Sequence, residues 1–167
     1  MPGPLDGYRI LDLSAVISGP FATMILADQG ADVIKVETPG IGDYTRQAGN
    51  QKANLSASFL NNNRNKRSVS IDVKSDAGRE ALKRLVATAD VFIQNFRPGV
   101  VERLGISEAD LRAITPDLIY VSMSGWGENG PLSHKPVYDP IIQALSGLAT
   151  VQAGSDQERP RLIRTVL

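Results

Sequence analysis

The sequence contains no cysteine, which excludes disulfides, thiolate metal ligands and a thiol nucleophile. It has a single histidine, His134. That residue sits in the polar segment Leu132-Ser133-His134-Lys135-Pro136, with no serine in a G-x-S-x-G elbow beside it, and reads as a solvated loop residue rather than a member of a Ser-His-Asp relay. One histidine without cysteine leaves no basis for a transition-metal site, so no metal is expected. Charge of one sign is also missing: 18 basic residues against 18 acidic ones give a formal net charge of zero. The broad positive field used for nucleic acids or anionic membranes is therefore absent, and neither is expected as a partner. No apolar run reaches the roughly 18 residues of a membrane-spanning helix. The first twenty residues lack a basic n-region and carry Asp6 and Asp12, unlike a signal peptide, so a cytoplasmic location is expected. Neither G-x-G-x-x-G nor a Walker lysine motif occurs, and no permanently bound cofactor is expected.

What is present suffices for one folded unit. The chain has 167 residues, 42% hydrophobic and 22% charged. Arg9 to Leu13 is a β-prone run, followed by the loop Ser14 to Pro20, whose Gly19-Pro20 pair precedes an apolar helical pattern through Phe21, Met24, Ile25 and Ala27. Gly30 falls at the expected helix end. The β-branched run Ala31 to Glu37, closed by Thr38-Pro39-Gly40, completes a βαβ unit. Ile41 to Leu60 reads as a long loop with room for one short helix. The polar Asn61-Asn62-Asn63-Arg64-Asn65-Lys66-Arg67 reads as a solvated basic turn before a strand at 68–72. A helix over 75–88, with Ser75 as N-cap, a strand at 89–94, a short capped helix opening at Ser107, a strand at 118–124 and a helix over 139–148 follow. Ala31-Asp32-Val33 with Pro39-Gly40 is echoed by Ala89-Asp90-Val91 with Pro98-Gly99. Five strands alternating with about four helices predict an α/β fold: a Rossmann-like, open, mainly parallel sheet with helices on both faces.

In such sheets ligands sit beyond the carboxyl ends of the strands, so the loops there carry the candidates. Ser14 to Pro20 feeds a helix N-terminus whose free amides can receive an anion, and it reads equally as an ordinary βα turn. Asn95-Phe96-Arg97-Pro98-Gly99 places an amide, an aromatic face and a guanidinium in succession. By residue type this is a strand-end turn with Phe96 in the core and Arg97 solvated, or a group that stacks on a base and pairs with phosphate. Asp139, after Tyr138, reads as a charge at a helix N-terminus.

The blocks Leu5 to Leu13, Gly19-Pro20, Leu26 to Glu37, Pro39-Gly40, Asn65 to Ser68, Asn95 to Gly99 and Gly125-Trp126-Gly127, in that order, resemble the N-terminal part of class III coenzyme A transferases of the CaiB/BaiF type. The resemblance implies transfer of coenzyme A between carboxylic acids through an aspartyl acyl anhydride and an aspartyl-CoA thioester. It also implies a Rossmann-like large domain and an interlocked homodimer, with acyl-CoA and a carboxylic acid as partners. By position, Val16 and Ile17 match the loop along the acyl and pantetheine path. Asn95, Phe96 and Arg97 match the block bordering the coenzyme, Arg103 and Leu104 lie near the nucleotide, Ile71 is an apolar contact there, and Tyr138 lies near the thioester. Two positions depart from formyl-CoA transferase, which has a glutamine in place of Ile17 and, in place of Thr38, an arginine that contacts the nucleotide.

The related α-methylacyl-CoA racemases carry a histidine where this chain has Tyr138, which favours transfer over racemisation. A non-catalytic CoA-binding module is a further alternative. The apolar stretch from Arg159 to Leu167 resembles the opening of a strand, and the resemblance puts the family's nucleophilic aspartate just after Leu167. Residues 1–167 are thus expected to be the N-terminal part of a large domain, truncated at the C-terminus, inactive alone and without the catalytic residue.

Overall fold

The computed structural model describes residues 3–53, 55–151 and 161–162. They fall into two compact units, 1–123 and 124–167. The first unit is built on a five-stranded, wholly parallel sheet of β1 (Arg9–Asp12), β2 (Asp32–Glu37), β5 (Lys66–Ser70), β6 (Val91–Gln94) and β7 (Ile119–Ser122), in the order β5-β2-β1-β6-β7. A small antiparallel pair, β3 (Gln51–Lys52) and β4 (Leu55–Ser56), stands apart.

Alternation along the strands divides the core between two faces. Leu11, Leu13, Ile34, Val36 and Phe92 pack with Leu82 and Val86 of α3 (Asp76–Val86), Val101 of α4 (Val100–Leu104) and Leu111 of α5 (Glu108–Arg112). Ile10, Val33 and Ile93 face the other way and pack with Ala27 of α1 (Ser18–Asp28). Burying side chains of this size stabilises by about 1.5–3 kcal/mol each. This is the expected Rossmann-like α/β arrangement, with helices on both faces.

The two Ala-Asp-Val echoes have one structural meaning. Val33 and Val91 both pair with Ile10, so β2 and β6 flank the central strand in equivalent register.

Element ends follow local chemistry. Ser75 caps α3 by accepting from Gly78 N, and Ser107 with Asp110 closes a capping box on α5. Helix α1 begins at Ser18, before Gly19-Pro20 rather than after it. Pro20 fits there because first-turn amides need no intrahelical acceptor.

The region from 41 to 60 is more ordered than its composition predicts: Tyr44–Gln47 forms a 3₁₀ turn and α2 (Ala57–Asn63) is capped by Ser56. That helix takes up the three asparagines, so β5 starts at Lys66 rather than 68. Helix α4, between left-handed Gly99 and Gly105, has no counterpart in the sequence reading because five residues are too short for a visible period.

In the second unit the expected helix over 139–148 divides at Ser146-Gly147 into α6 (Asp139–Leu145) and α7 (Leu148–Val151), Gly147 being left-handed at φ 80°. Asp139 opens α6, as expected of an N-terminal charge. The glycine turn carrying Trp126 precedes it, with Gly125 directly against Val137. The strand opening expected from Arg159 to Leu167 falls, but for Arg161 and Leu162, outside the described residues. Leu167 itself, after which the nucleophilic aspartate is expected, also lies outside them. No helix among the described residues is long and apolar enough to cross a membrane.

Candidate functional site

The chain leaves β1 toward β2 on one side and later places β6 on the other, so the topological switch point lies between β1 and β6. Ligands of open α/β sheets enter the crevice there. Its two walls are the loop 13–17 after β1 and the turn 95–99 after β6.

Asn95 ties the walls together. Its side-chain amide donates to Ala15 O at 2.8 Å and accepts from Ala15 N at 2.9 Å. The next residue, Val16, holds φ at 73°, a left-handed conformation unusual for a β-branched residue.

Beneath this loop, the α1 face of the sheet turns polar near its carboxyl edge. Asp12 pairs with Lys66 at 2.9 Å and accepts from Thr23 Oγ1 at 2.6 Å, from Ser14 N at 2.9 Å and from the Ser14 hydroxyl. Burial alone pushes the Asp12 carboxyl up, but Lys35, Lys66 and these hydroxyls together hold it below the usual carboxylate range. Burial pulls the Lys66 ammonium down, with Asp12 opposing. Lys35 pairs with Asp43 at 2.9 Å, their side chains only 2% and 1% exposed.

Glu37 completes the cluster by accepting from Arg46 Nε and Nη2, both at 2.7 Å, Ser68 Oγ at 2.6 Å and Asp43 N at 3.0 Å. Against its burial, these donors lower the Glu37 carboxyl to about 2. Gly42, at φ 67°, makes the turn possible, since a Cβ there would lie 2.7 Å from Glu37 Oε2.

The positions singled out in the sequence distribute along this edge. Val16 is 37% exposed, and half-buried Ile17 is the N-cap residue of α1, with no side-chain cap of its own. Thr38 follows β2 directly, is exposed, and lines a cleft of about 610 Å³ together with Glu37, Ile41, Arg46, Ser68 and Ser70. Ile71 follows β5 and is buried in the core that Phe96 and Leu104 also touch. Phe96 is thus half core and half edge. Its backbone N–H donates to Gln94 Oε1 at 2.7 Å.

The side chains of Arg97 and Arg103 are exposed and have no ion-pair or hydrogen-bond partner among the described residues. Arg103 approaches Gly99 closely enough that a Cβ there would sit 3.2 Å from its Nη1. Tyr138, 69% exposed, and His134 belong to the second unit.

Lys66 corrects the sequence reading: it is a buried ion-pair partner, not part of a solvated turn. Asp12, Lys35, Glu37 and Asp43 were not singled out at all. The available signal was charge inside a β-branched run, at Lys35 and Glu37 of β2.

The open parallel sheet with its switch-point crevice defines the protein as a Rossmann-like α/β fold. Comparison with known proteins makes the class specific. The chain belongs to CoA-transferase family III, whose profile matches residues 5–167. It is 45% identical over 167 residues to mouse (Mus musculus) succinyl-CoA:glutarate CoA-transferase, covering 98% of this chain, and 47% identical over 146 residues to acetyl-CoA:oxalate CoA-transferase of Acetobacter aceti, covering 87%. It spans 38% of the length of each of these curated relatives. Among solved structures, a CaiB/BaiF family protein from Brucella suis matches with a TM-score of 0.92 at 39% identity, covering 99% of this chain and 44% of that one.

Proposed function

We propose that this chain forms the coenzyme-binding part of an enzyme that moves coenzyme A between carboxylic acids. The observation that carries the reading is a pair of exposed cations without a partner among the described residues, Arg97 in the turn that also holds Phe96 and Arg103 against Gly99 at the end of that turn, in a family III fold. With the chain's formal net charge at zero, an anionic coenzyme has to be met by such local groups. Val16, Ile17, Thr38, Ile71, Asn95, Leu104 and Tyr138 complete the proposed contact set, on the strength of the resemblance.

The chemistry needs a carboxylate nucleophile. It attacks the thioester carbonyl, the C–S bond breaks, and CoA departs as thiolate, leaving the acyl group and the carboxylate joined as a mixed anhydride. The thiolate then attacks the aspartyl carbonyl, releasing the first acid, and the acceptor carboxylate takes CoA by the same steps reversed. The buried carboxylates Asp12, Glu37 and Asp43 are each paired with a cation and are not offered as the nucleophile. The resemblance puts the nucleophile after Leu167, with residues 1–167 as the N-terminal part of a large domain and without turnover alone. An interlocked homodimer, a cytoplasmic location and the absence of a permanently bound cofactor belong to the same proposal and rest on the resemblance and the sequence reading.

Calorimetry of this chain with CoA is the direct test. Saturable binding is expected, with affinity about tenfold lower in Arg97→Ala and in Arg103→Ala. A folded sample giving no heat, or two variants binding as the parent does, overturns the reading. CoA transfer by the 167-residue chain alone would overturn the assignment of the nucleophile.

A further inference from the structure

The left-handed turn at Val16 lies in the loop that the preceding reading gives to the coenzyme, and the inference here rests on that reading. We infer that the buried Lys35–Asp43 pair is a positioning device that holds the Val16 turn in its binding shape.

A β-branched residue at φ 73° is sterically costly, and such conformations persist only where the surroundings over-determine them. Here three side chains from separate elements grip three consecutive residues. Lys35 Nζ, reaching from β2, donates to Ser14 O at 2.8 Å. Asn95 makes its two-way pair with Ala15. Asp43 Oδ1 accepts from Val16 N at 3.3 Å, and its other oxygen meets Lys35. Residue Ile17 then enters α1.

Stability alone does not call for this pair. A buried ion pair is often no better for a fold than apolar residues of similar volume, and β2 fills its neighbouring positions with buried Val33, Ile34 and Val36. What the pair supplies is direction. The polar contacts of Lys35 are to the loop carbonyl and to Asp43, and Asp43 divides its remaining oxygen between Val16 and the start of the 3₁₀ turn, where Thr45 N and Oγ1 donate at 2.9 and 2.7 Å. The loop is thereby fixed to the sheet before any ligand arrives, which removes an ordering cost from binding.

Two readouts separate positioning from mere structure. In the unmodified chain, amide hydrogen exchange at Val16 is expected to be at least about tenfold slower than its intrinsic rate, despite the exposed side chain. In the combined variant Lys35→Met with Asp43→Ala, which leaves no buried charge unpaired, Val16 exchange accelerates by about tenfold or more while Ala15, held by Asn95, keeps its protection. CoA affinity falls by about tenfold in that variant. In urea unfolding, adding Val16→Gly recovers part of the stability that the combined variant loses, because glycine adopts this φ without steric cost.

Unchanged Val16 exchange, or losses that simply add when Val16→Gly is introduced, overturns the inference. If the combined variant does not fold, Val16 exchange in the parent chain decides alone, and an intrinsic rate there overturns it. If the parent gives no heat with CoA while the exchange pattern holds, the coenzyme reading fails and the positioning of the turn stands.

Discussion

Glu37 gives the fold a measurable response to acid. Its carboxylate is gripped by both arms of Arg46, by Ser68 and by the Asp43 amide, and it titrates near 2 in the folded chain against an ordinary value of 4.5. A lowered carboxyl contributes stability that is fully present above about pH 4.5 and is lost as the pH falls toward 2. The separation corresponds to about 3 kcal/mol, of which about 2 kcal/mol is gone by about pH 3. The perturbation is Glu37→Gln, which removes the titrating group and keeps its volume. Urea denaturation of parent and variant at about pH 6 and about pH 3 then reads the effect as a difference, so that the other lowered carboxylates, Asp12, Asp28, Asp32 and Asp110, cancel. The parent's advantage should be largest at the higher pH and shrink by about 2 kcal/mol at the lower one. An advantage that stays constant to within about 0.5 kcal/mol would refute the reasoning, because it would mean the carboxyl binds its proton equally well folded and unfolded.

Three further outcomes follow from other parts of the fold. Lys66→Met leaves Asp12 buried without its nearest cation and should cost about 3–5 kcal/mol in urea unfolding; a loss under about 1 kcal/mol would mean that Lys35, Ser14 and Thr23 suffice. Ser107→Ala opens the α5 capping box and should lower stability by about 1 kcal/mol, read as a shifted urea midpoint with unchanged slope. Phe92→Ala removes a fully buried ring stacked on Tyr120 at 5.3 Å and should cost about 3–5 kcal/mol, enough to unfold a marginal domain.

The architecture was legible because its signals are short-range. Strand patterns, the Ser75 and Ser107 caps and the Gly30 stop each act within a few residues, and they fall where the sequence puts them. The Ala-Asp-Val echo even carried topology, since both copies turned out to flank β1. The polar floor of the crevice was not legible, for a physical reason. Lys66 is separated by 54 residues from Asp12, and in sequence it sits among asparagines like any solvated turn. Burial of a charge depends on a partner that only the folded sheet supplies. Asn95 was legible as a residue of the crevice edge, but its two-way grip on Ala15, 80 positions away, was not. Val16 was legible as a loop position, but its backbone conformation was not, since nothing about a valine announces a left-handed φ. The short helix α2 was hidden by its asparagines, which score poorly for helix yet are tolerated behind a serine cap.

Trp126, in the glycine turn of the second unit, is the chain's one tryptophan, whereas the four tyrosines are shared, Tyr8, Tyr44 and Tyr120 lying in the sheet unit and Tyr138 in the second. Tryptophan emission is therefore an optical label of the second unit alone. Red-edge excitation that spares tyrosine illuminates the segment from 124 onward, while far-ultraviolet dichroism is weighted toward the strands and helices of the first. Melting curves recorded in both channels will superimpose if the units lose structure together, and will part company if each melts on its own.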